Sequence, residues 1–184
     1  MSYINVPENL NGIRALMAFR PETAKYINEL AEILLRSNSN DSLTRGEREL
    51  IGTYVSYLND CFFCQNAHGA IAQHYFQCDM KFIDDIKTDY EGMPLSDKLK
   101  SLLAIAGSVA KGGKFVEPEQ IEKAKQSRAA DKEIHDTVLI AAFFSLCNRY
   151  VDGLGTSANP DRQYYIDRGK MRAEEGYRDF DLYK

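Results

Sequence analysis

The sequence predicts an all-α domain. Apolar residues recur at three- and four-residue intervals in segment after segment. Strand-type alternation persists nowhere along the chain. Helix start and stop residues frame the periodic stretches, with Pro21, Thr44 and Ser96 opening them and Gly112-Gly113 closing one. A chain of 184 residues is one domain, residues 1–184, with a tail from about 160 to 184, and it is long enough for a real core. No repeat of 20–50 residues is evident.

In order, Leu10, Ile13, Leu16 and Met17 predict a short amphipathic helix over 10–19. Pro21-Glu22 opens a second, because proline suits the first helical position and an acid suits the first turn. Its expected inward stripe is Tyr26, Ile27, Leu30, Ile33 and Leu34. Residues Ser37–Asp41 read as a loop. Thr44-Arg45-Gly46-Glu47 fits a capping box. Leu50, Ile51, Tyr54, Val55 and Leu58 continue that helix over 45–58, and Asn59-Asp60 breaks it. Further helices are expected over 61–76, about 79–88, 97–110, a polar one to about 127, 132–151 with Asp131 as its cap, and 161–175. The middle of the 132–151 helix, Val138–Leu146, is apolar all round and is expected to be buried on every side.

The chemistry lies in Cys61-Phe62-Phe63-Cys64-Gln65-Asn66-Ala67-His68. Two cysteines three positions apart can pair at the first turn of a helix, where free N–H groups and the positive dipole end also favour a thiolate. His68 sits four residues past Cys64, on the same helical face, and leans toward it. If helices 45–58 and 61–76 form an antiparallel hairpin about residue 60, Glu49 lies eleven residues before the turn and His68 eight after it. At ~1.5 Å per residue their levels differ by only about 4–5 Å. Glu49 can then orient His68, and His68 can serve Cys64. The plainer readings are that Glu49 is a first-turn acid and that the cysteines and His68 are packing residues. A zinc site is a further alternative, with Cys78 or His74 as fourth ligand, though no distant second ligand pair is present. Cys78 and Cys147 read as buried small residues, Cys147 with a chance of facing the pocket; His74 and His135 read as surface. Arg149 and Asp152 read as structural pairing or capping groups. Phe62-Phe63 is either core or the wall of an apolar entrance.

The order Glu49, Cys61-x-x-Cys64, His68 resembles the alkylhydroperoxidase D motif of the carboxymuconolactone decarboxylase-like superfamily. Asn148-Arg149-Tyr150-Val151-Asp152-Gly153-Leu154-Gly155 resembles the late Asn-Arg-x-x-x-Gly-Leu-Gly stretch of its peroxidase-related branch. The likeness runs over roughly residues 8–170. It departs at Phe63, where alkylhydroperoxidase D carries a histidine. The resemblance implies a helical bundle of that type and a thiol-dependent peroxidase, with Cys64 meeting the hydroperoxide, Cys61 resolving it, and Glu49 and His68 activating them. It also implies an external dithiol reductant, lipoyl-type or thioredoxin-like, and no bound cofactor or metal. The Phe63 departure favours the alternative of a disulfide-exchange or redox-sensing module. A zinc-stabilised binding domain is the third reading.

Net charge is −4, so no basic excess points to nucleic acid or an anionic membrane. No apolar run approaches the ~20 residues of a membrane helix. The start, Met1–Pro7, lacks the features of an export signal, and four cysteines do not make a disulfide scaffold, so a reducing cytoplasm is expected. The apolar 132–151 helix and the tail tyrosines Tyr164, Tyr165, Tyr177 and Tyr183 predict a homo-oligomer.

Overall fold

The computed structural model describes residues 2–36 and 42–178. Among them there are nine α-helices and no strand. The Ser37–Asp41 loop and Tyr183 lie outside the described residues. Helix α1 (Ile13–Phe19) starts three residues later than its apolar residues suggested. The delay follows from Gly12, whose φ of 58° is not helical and which takes the edge of the Phe63 ring where a side chain would sit.

Helix α2 (Pro21–Arg36) begins at its proline as expected. Its buried face is different from the predicted one. Ala24, Asn28, Ala31, Leu34 and Leu35 face the core, while Tyr26, Leu30 and Ile33 are exposed. The helix carries two apolar stripes, and the one with alanines is the one that packs closely.

Helices α3 (Arg45–Leu58) and α4 (Phe62–Phe76) form the predicted antiparallel hairpin. The Thr44 hydroxyl accepts the Glu47 N–H, and the Glu47 carboxylate accepts the Thr44 N–H at 2.8 Å, so the capping box is complete. Asp60 turns the chain with φ 56°, and Cys61 is the N-cap residue of α4. Arg48 anchors α3 from inside the core, donating to the carbonyls of Leu43 and Leu34 and pairing with Asp136 at 2.9 Å.

Helices α5 (Met80–Asp89), α6 (Asp97–Lys111) and α7 (Pro118–Gln126) follow, with Asp79 and Ser96 capping the first two. A single 3-10 turn at 113–115 was not anticipated. Helix α8 (Asp131–Gly153) is longer than predicted, and its cap position is Ala130 rather than Asp131. Glu133 reaches back to accept the Ala130 N–H at 2.8 Å, which does the work of an N-cap side chain. Nor is α8 buried on every side: Leu139, Ala142 and Leu146 form an open stripe, while Ile140, Phe143, Phe144 and Cys147 face inward. Helix α9 (Arg162–Glu175) lies across α4. Gly169 makes that approach possible, since a Cβ there would fall 2.8 Å from the backbone of Ala70. No helix among the described residues is long and apolar enough to cross a membrane.

Candidate active site

The hairpin brings Glu49 and His68 together. His68 Nδ1 lies 2.7 Å from Glu49 Oε2, and Glu49 is buried in α3 with 1% of its surface exposed. A carboxylate only accepts, which puts the ring proton on Nδ1 and leaves Nε2 as the basic nitrogen. The imidazole is fixed from both sides. The Phe144 ring meets its edge at 4.5 Å between centroids, and the Tyr177 ring stacks on it at 6.1 Å. Gly52 leaves the space that the Phe144 ring fills.

Tyr177 is the partner that helical counting missed. Its hydroxyl donates to Glu49 Oε1 at 2.6 Å and lies 3.4 Å from His68 Nδ1. Burial first, then the Glu49 carboxylate, pushes the Tyr177 phenol well above its ordinary range, so it remains a donor. Tyr165 and Tyr177 are buried within this chain, and Tyr164 is half-buried on the cavity wall. The tyrosine-rich tail, read from sequence as an oligomer surface, was the only signal for them.

All four cysteines are thiols. Cys64 lines a cavity of about 100 Å³ together with His68, Phe63, Phe144, Cys147 and Tyr177. Cys61 does not line it. It is fully buried in a second cluster with Val151 and Tyr165, and Ile13 and Ala158 pack against that cluster. Cys61 is closed off although it stands at the start of its helix, because that start is roofed by α1, α9 and the segment after α8.

The Cys64 thiol is held well above the usual thiol range, first by its hydrogen bond with Cys61 and then by burial. This is opposite to the depressed value that a helix N-terminus alone would give. The Asn148 side chain also bonds Cys64 and pulls the other way. Asn148 is itself held, donating to Ser56 Oγ at 3.0 Å and accepting from Asn59 Nδ2 at 2.9 Å. Asp152 reaches the Cys61 thiol, while Arg149 donates to the Ser145 carbonyl of its own helix. Cys147 is buried and its thiol pushed up to about 12. Cys78 and His74 are half-buried and His135 exposed. Among the described residues no three His, Cys, Asp or Glu side chains converge to hold a metal, so the zinc reading finds no ligand set there.

Residues 21–75 match the Carboxymuconolactone decarboxylase family. An uncharacterised peroxidase-related protein of Ralstonia eutropha, described as an alkylhydroperoxidase AhpD core, is 25% identical. Its superposition has a TM-score of 0.75 and covers 88% of this chain and 82% of that one. An uncharacterised peroxidase-related protein from Silicibacter is 24% identical, with a TM-score of 0.74 over 85% of this chain and 79% of that one. A protein of unknown function from Agrobacterium tumefaciens shares the fold at 18% identity and a TM-score of 0.68, over 88% of this chain and all of that one. No curated protein matches in sequence.

Three outcomes follow from the geometry. Alkylation of Cys64 should still be accelerating at pH 9, where a free cysteine of pKa ~8.5 is mostly ionised. The raised thiol loses its proton only at higher pH, so a rate that levels off below pH 8 contradicts the buried, hydrogen-bonded thiol. If His68, oriented by Glu49, serves as the base for Cys64, replacing Glu49 by Gln or His68 by Ala should slow oxidation of the Cys64 thiol about 10²–10⁴-fold, and the double variant should lose little more. Tyr177→Phe should act through Glu49: about 1–3 kcal/mol of stability lost, with a smaller fall in rate than Glu49→Gln. Additive losses in the Glu49/His68 cycle, read by stopped-flow, would show that the two residues act separately.

Proposed function

We propose that this chain, a member of the alkylhydroperoxidase D-like carboxymuconolactone decarboxylase superfamily by its matched segment and its fold, is a thiol-dependent, peroxidase-like oxidoreductase. Its peroxidase-related structural relatives support an antioxidant role in outline. The observation that carries the finer reading is the Glu49–His68 contact of 2.7 Å on the wall of the cavity that Cys64 lines. A thiol pushed up in pKa is a poor nucleophile by itself. It needs a base at hand, and an imidazole oriented by a buried carboxylate is one.

In this reading His68 Nε2 takes the Cys64 proton as sulfur attacks the outer peroxide oxygen. The O–O bond breaks, the alcohol leaves with the proton from His68, and Cys64 becomes a sulfenic acid. The Cys61 thiol displaces water from it and the disulfide forms. An external dithiol, lipoyl-type or thioredoxin-like, returns two electrons by exchange. Cys64 is the sulfur that the cavity reaches, so both peroxide and reductant approach it there. No bound cofactor enters these steps. A disulfide-exchange or redox-sensing module without peroxidase turnover is the second reading, favoured by the raised Cys64 thiol and by Phe63 where the related motif has histidine. Faster oxidation of the reduced protein by oxidised lipoamide than by hydroperoxide would select it.

Cys64→Ser should abolish peroxide consumption. Cys61→Ser should allow one turnover and stop at a sulfenic acid that dimedone traps, because no partner remains to resolve it. Dimedone on Cys61 in the Cys64→Ser protein reverses the roles. Wild type that keeps both thiols after peroxide, with no label on either variant, ends the peroxidase reading.

The exposed stripes of α2 (Tyr26, Leu30, Ile33) and α8 (Leu139, Ala142, Leu146) support a homo-oligomer. A multiple of 20.9 kDa is expected in light scattering at micromolar concentration, and a monomeric mass there sinks the idea.

A further inference from the structure

Helix α8 carries a carboxamide on its buried face. Asn148 is 1% exposed and follows Cys147, which lines the cavity with Cys64 and His68. A carboxamide has two N–H donors and one acceptor oxygen. The oxygen of Asn148 accepts from Asn59 Nδ2 at 2.9 Å, at the hairpin turn. One N–H donates to Ser56 Oγ at 3.0 Å. Because Asn59 Nδ2 can only donate, the amide is turned with its oxygen to Asn59 and its nitrogen to Ser56 and the Cys64 sulfur. Ser56 is fully buried too, and its carbonyl accepts the Cys61 N–H at 2.9 Å. One serine of α3 thus holds both the amide and the start of α4.

A buried polar side chain carries a desolvation cost that an apolar one of the same shape avoids, so packing alone does not account for an amide here. The sulfur beside it does. Cys64 is 2% exposed, and removing its proton leaves a negative charge out of reach of bulk water. His68 can take the proton, but a base does not stabilise the electron pair left on sulfur. Of the influences on this thiol, Cys61 first, then burial and Cys147, raise it, and the Asn148 hydrogen bond lowers it.

We propose that Asn148 is a catalytic residue: its second Nδ2–H bonds the Cys64 sulfur and stabilises the anion formed as His68 Nε2 takes the proton. It is a neutral donor aimed at the atom where charge develops, and Asn59 and Ser56 hold it so that nothing has to reorient at that moment. This role rests on Cys64 being the reacting sulfur, as in the peroxidase reading, and it holds for any electrophile that reaches that sulfur.

The test is alkylation of the reduced protein by iodoacetamide across a range of pH, with each cysteine followed by mass spectrometry. Below the midpoint of its titration a thiol reacts in proportion to its thiolate fraction. Asn148→Ala and Asn148→Asp, each checked for native helix content, should lower the Cys64 rate about ten- to a hundredfold at each pH on the rising limb, the size of a lost hydrogen bond to a charged group. Asn148→Asp keeps the shape, and Asn59 and the Ser56 hydroxyl can still bond it, but it puts an acceptor at the sulfur, so its loss should be the larger. Asn59→Ala leaves the donor and removes only what orients it, and should slow Cys64 less than either. Cys61 and His68 beside Cys64, Cys147 on α8, Arg14 on α1 and Tyr165, Arg168 and Arg172 on α9 are the ionisable groups around the thiol. Glu49 and Tyr177 stand behind His68. All are retained in every variant. Cys78, past the other end of α4, is the internal control, and its rate should not change.

A Cys64 rate in Asn148→Ala equal to or above that of wild type overturns the proposal, and so does an equal fall at Cys64 and Cys78, which marks a loosened fold. If neither Asn148 variant keeps native helix content, Asn59→Ala decides, and an unchanged Cys64 rate there overturns it. Iodoacetamide stands in for the peroxide, so the two readings fail separately. Slowed alkylation, with wild-type Cys64 left reduced by hydroperoxide, ends the peroxidase reading and leaves Asn148 its role. Unslowed alkylation of the Asn148 variants, with wild-type Cys64 oxidised by hydroperoxide, does the reverse.

Discussion

A carboxylate buried at the meeting point of three chain segments governs this structure. Glu49 is 1% exposed, and an ionised group there costs several kcal/mol unless its oxygens are bonded. One oxygen has His68 from α4 and the other has Tyr177 from beyond α9. That requirement fixes the register of α3 against α4 and brings the chain after α9 back to α3. It also holds the imidazole in one orientation, with Nε2 as its basic nitrogen. The stability of the fold and the order of the site are therefore the same interaction.

The close packing around it depends on missing side chains. At Gly52 the Phe144 ring takes the place of a Cβ, and at Gly169 helix α9 comes down on the Ala70 backbone. Phe144 then buttresses His68, and α9 carries Tyr165, Arg168 and Arg172 to the cavity. The alanines of the inward face of α2 do similar work, leaving Asn28 beside open space. A small-residue lining sets both how near the helices come and how much room remains beside the thiol.

Much of this was legible in the sequence where local rules suffice. Helix periodicity, the Thr44/Glu47 box, Pro21 and Ser96 located the helices to within a few residues, and counting about residue 60 put Glu49 level with His68. The failures are failures of tertiary context. On α2 both stripes are apolar, and periodicity cannot say which faces the core. On α8 the inward and open faces differ in surroundings rather than in composition. Tyr177 lies 128 residues from Glu49, and no spacing rule connects them. The raised pKa of Cys64 came from burial and from Cys61, neither of which a position at the start of a helix reveals.

The roof over Cys61 has a different character from the hairpin beneath it. Residues 2–12 run beside the segment after α8 and are tied to it by few bonds. The Tyr3 N–H donates to the Leu154 carbonyl at 3.0 Å and the Gly12 N–H to the Ser157 carbonyl at 2.8 Å. The Ser2 and Ser157 hydroxyls donate to the Leu154 carbonyl and to Asn11 Oδ1. The two strips of backbone make a clasp fastened by its ends, while the hairpin is fastened along its whole length. Segments held by few contacts open at lower free energy than the global fold. The thiol pair thus lies between a standing cavity at Cys64 and a roof over Cys61 whose outer strip is held by fewer bonds than the hairpin.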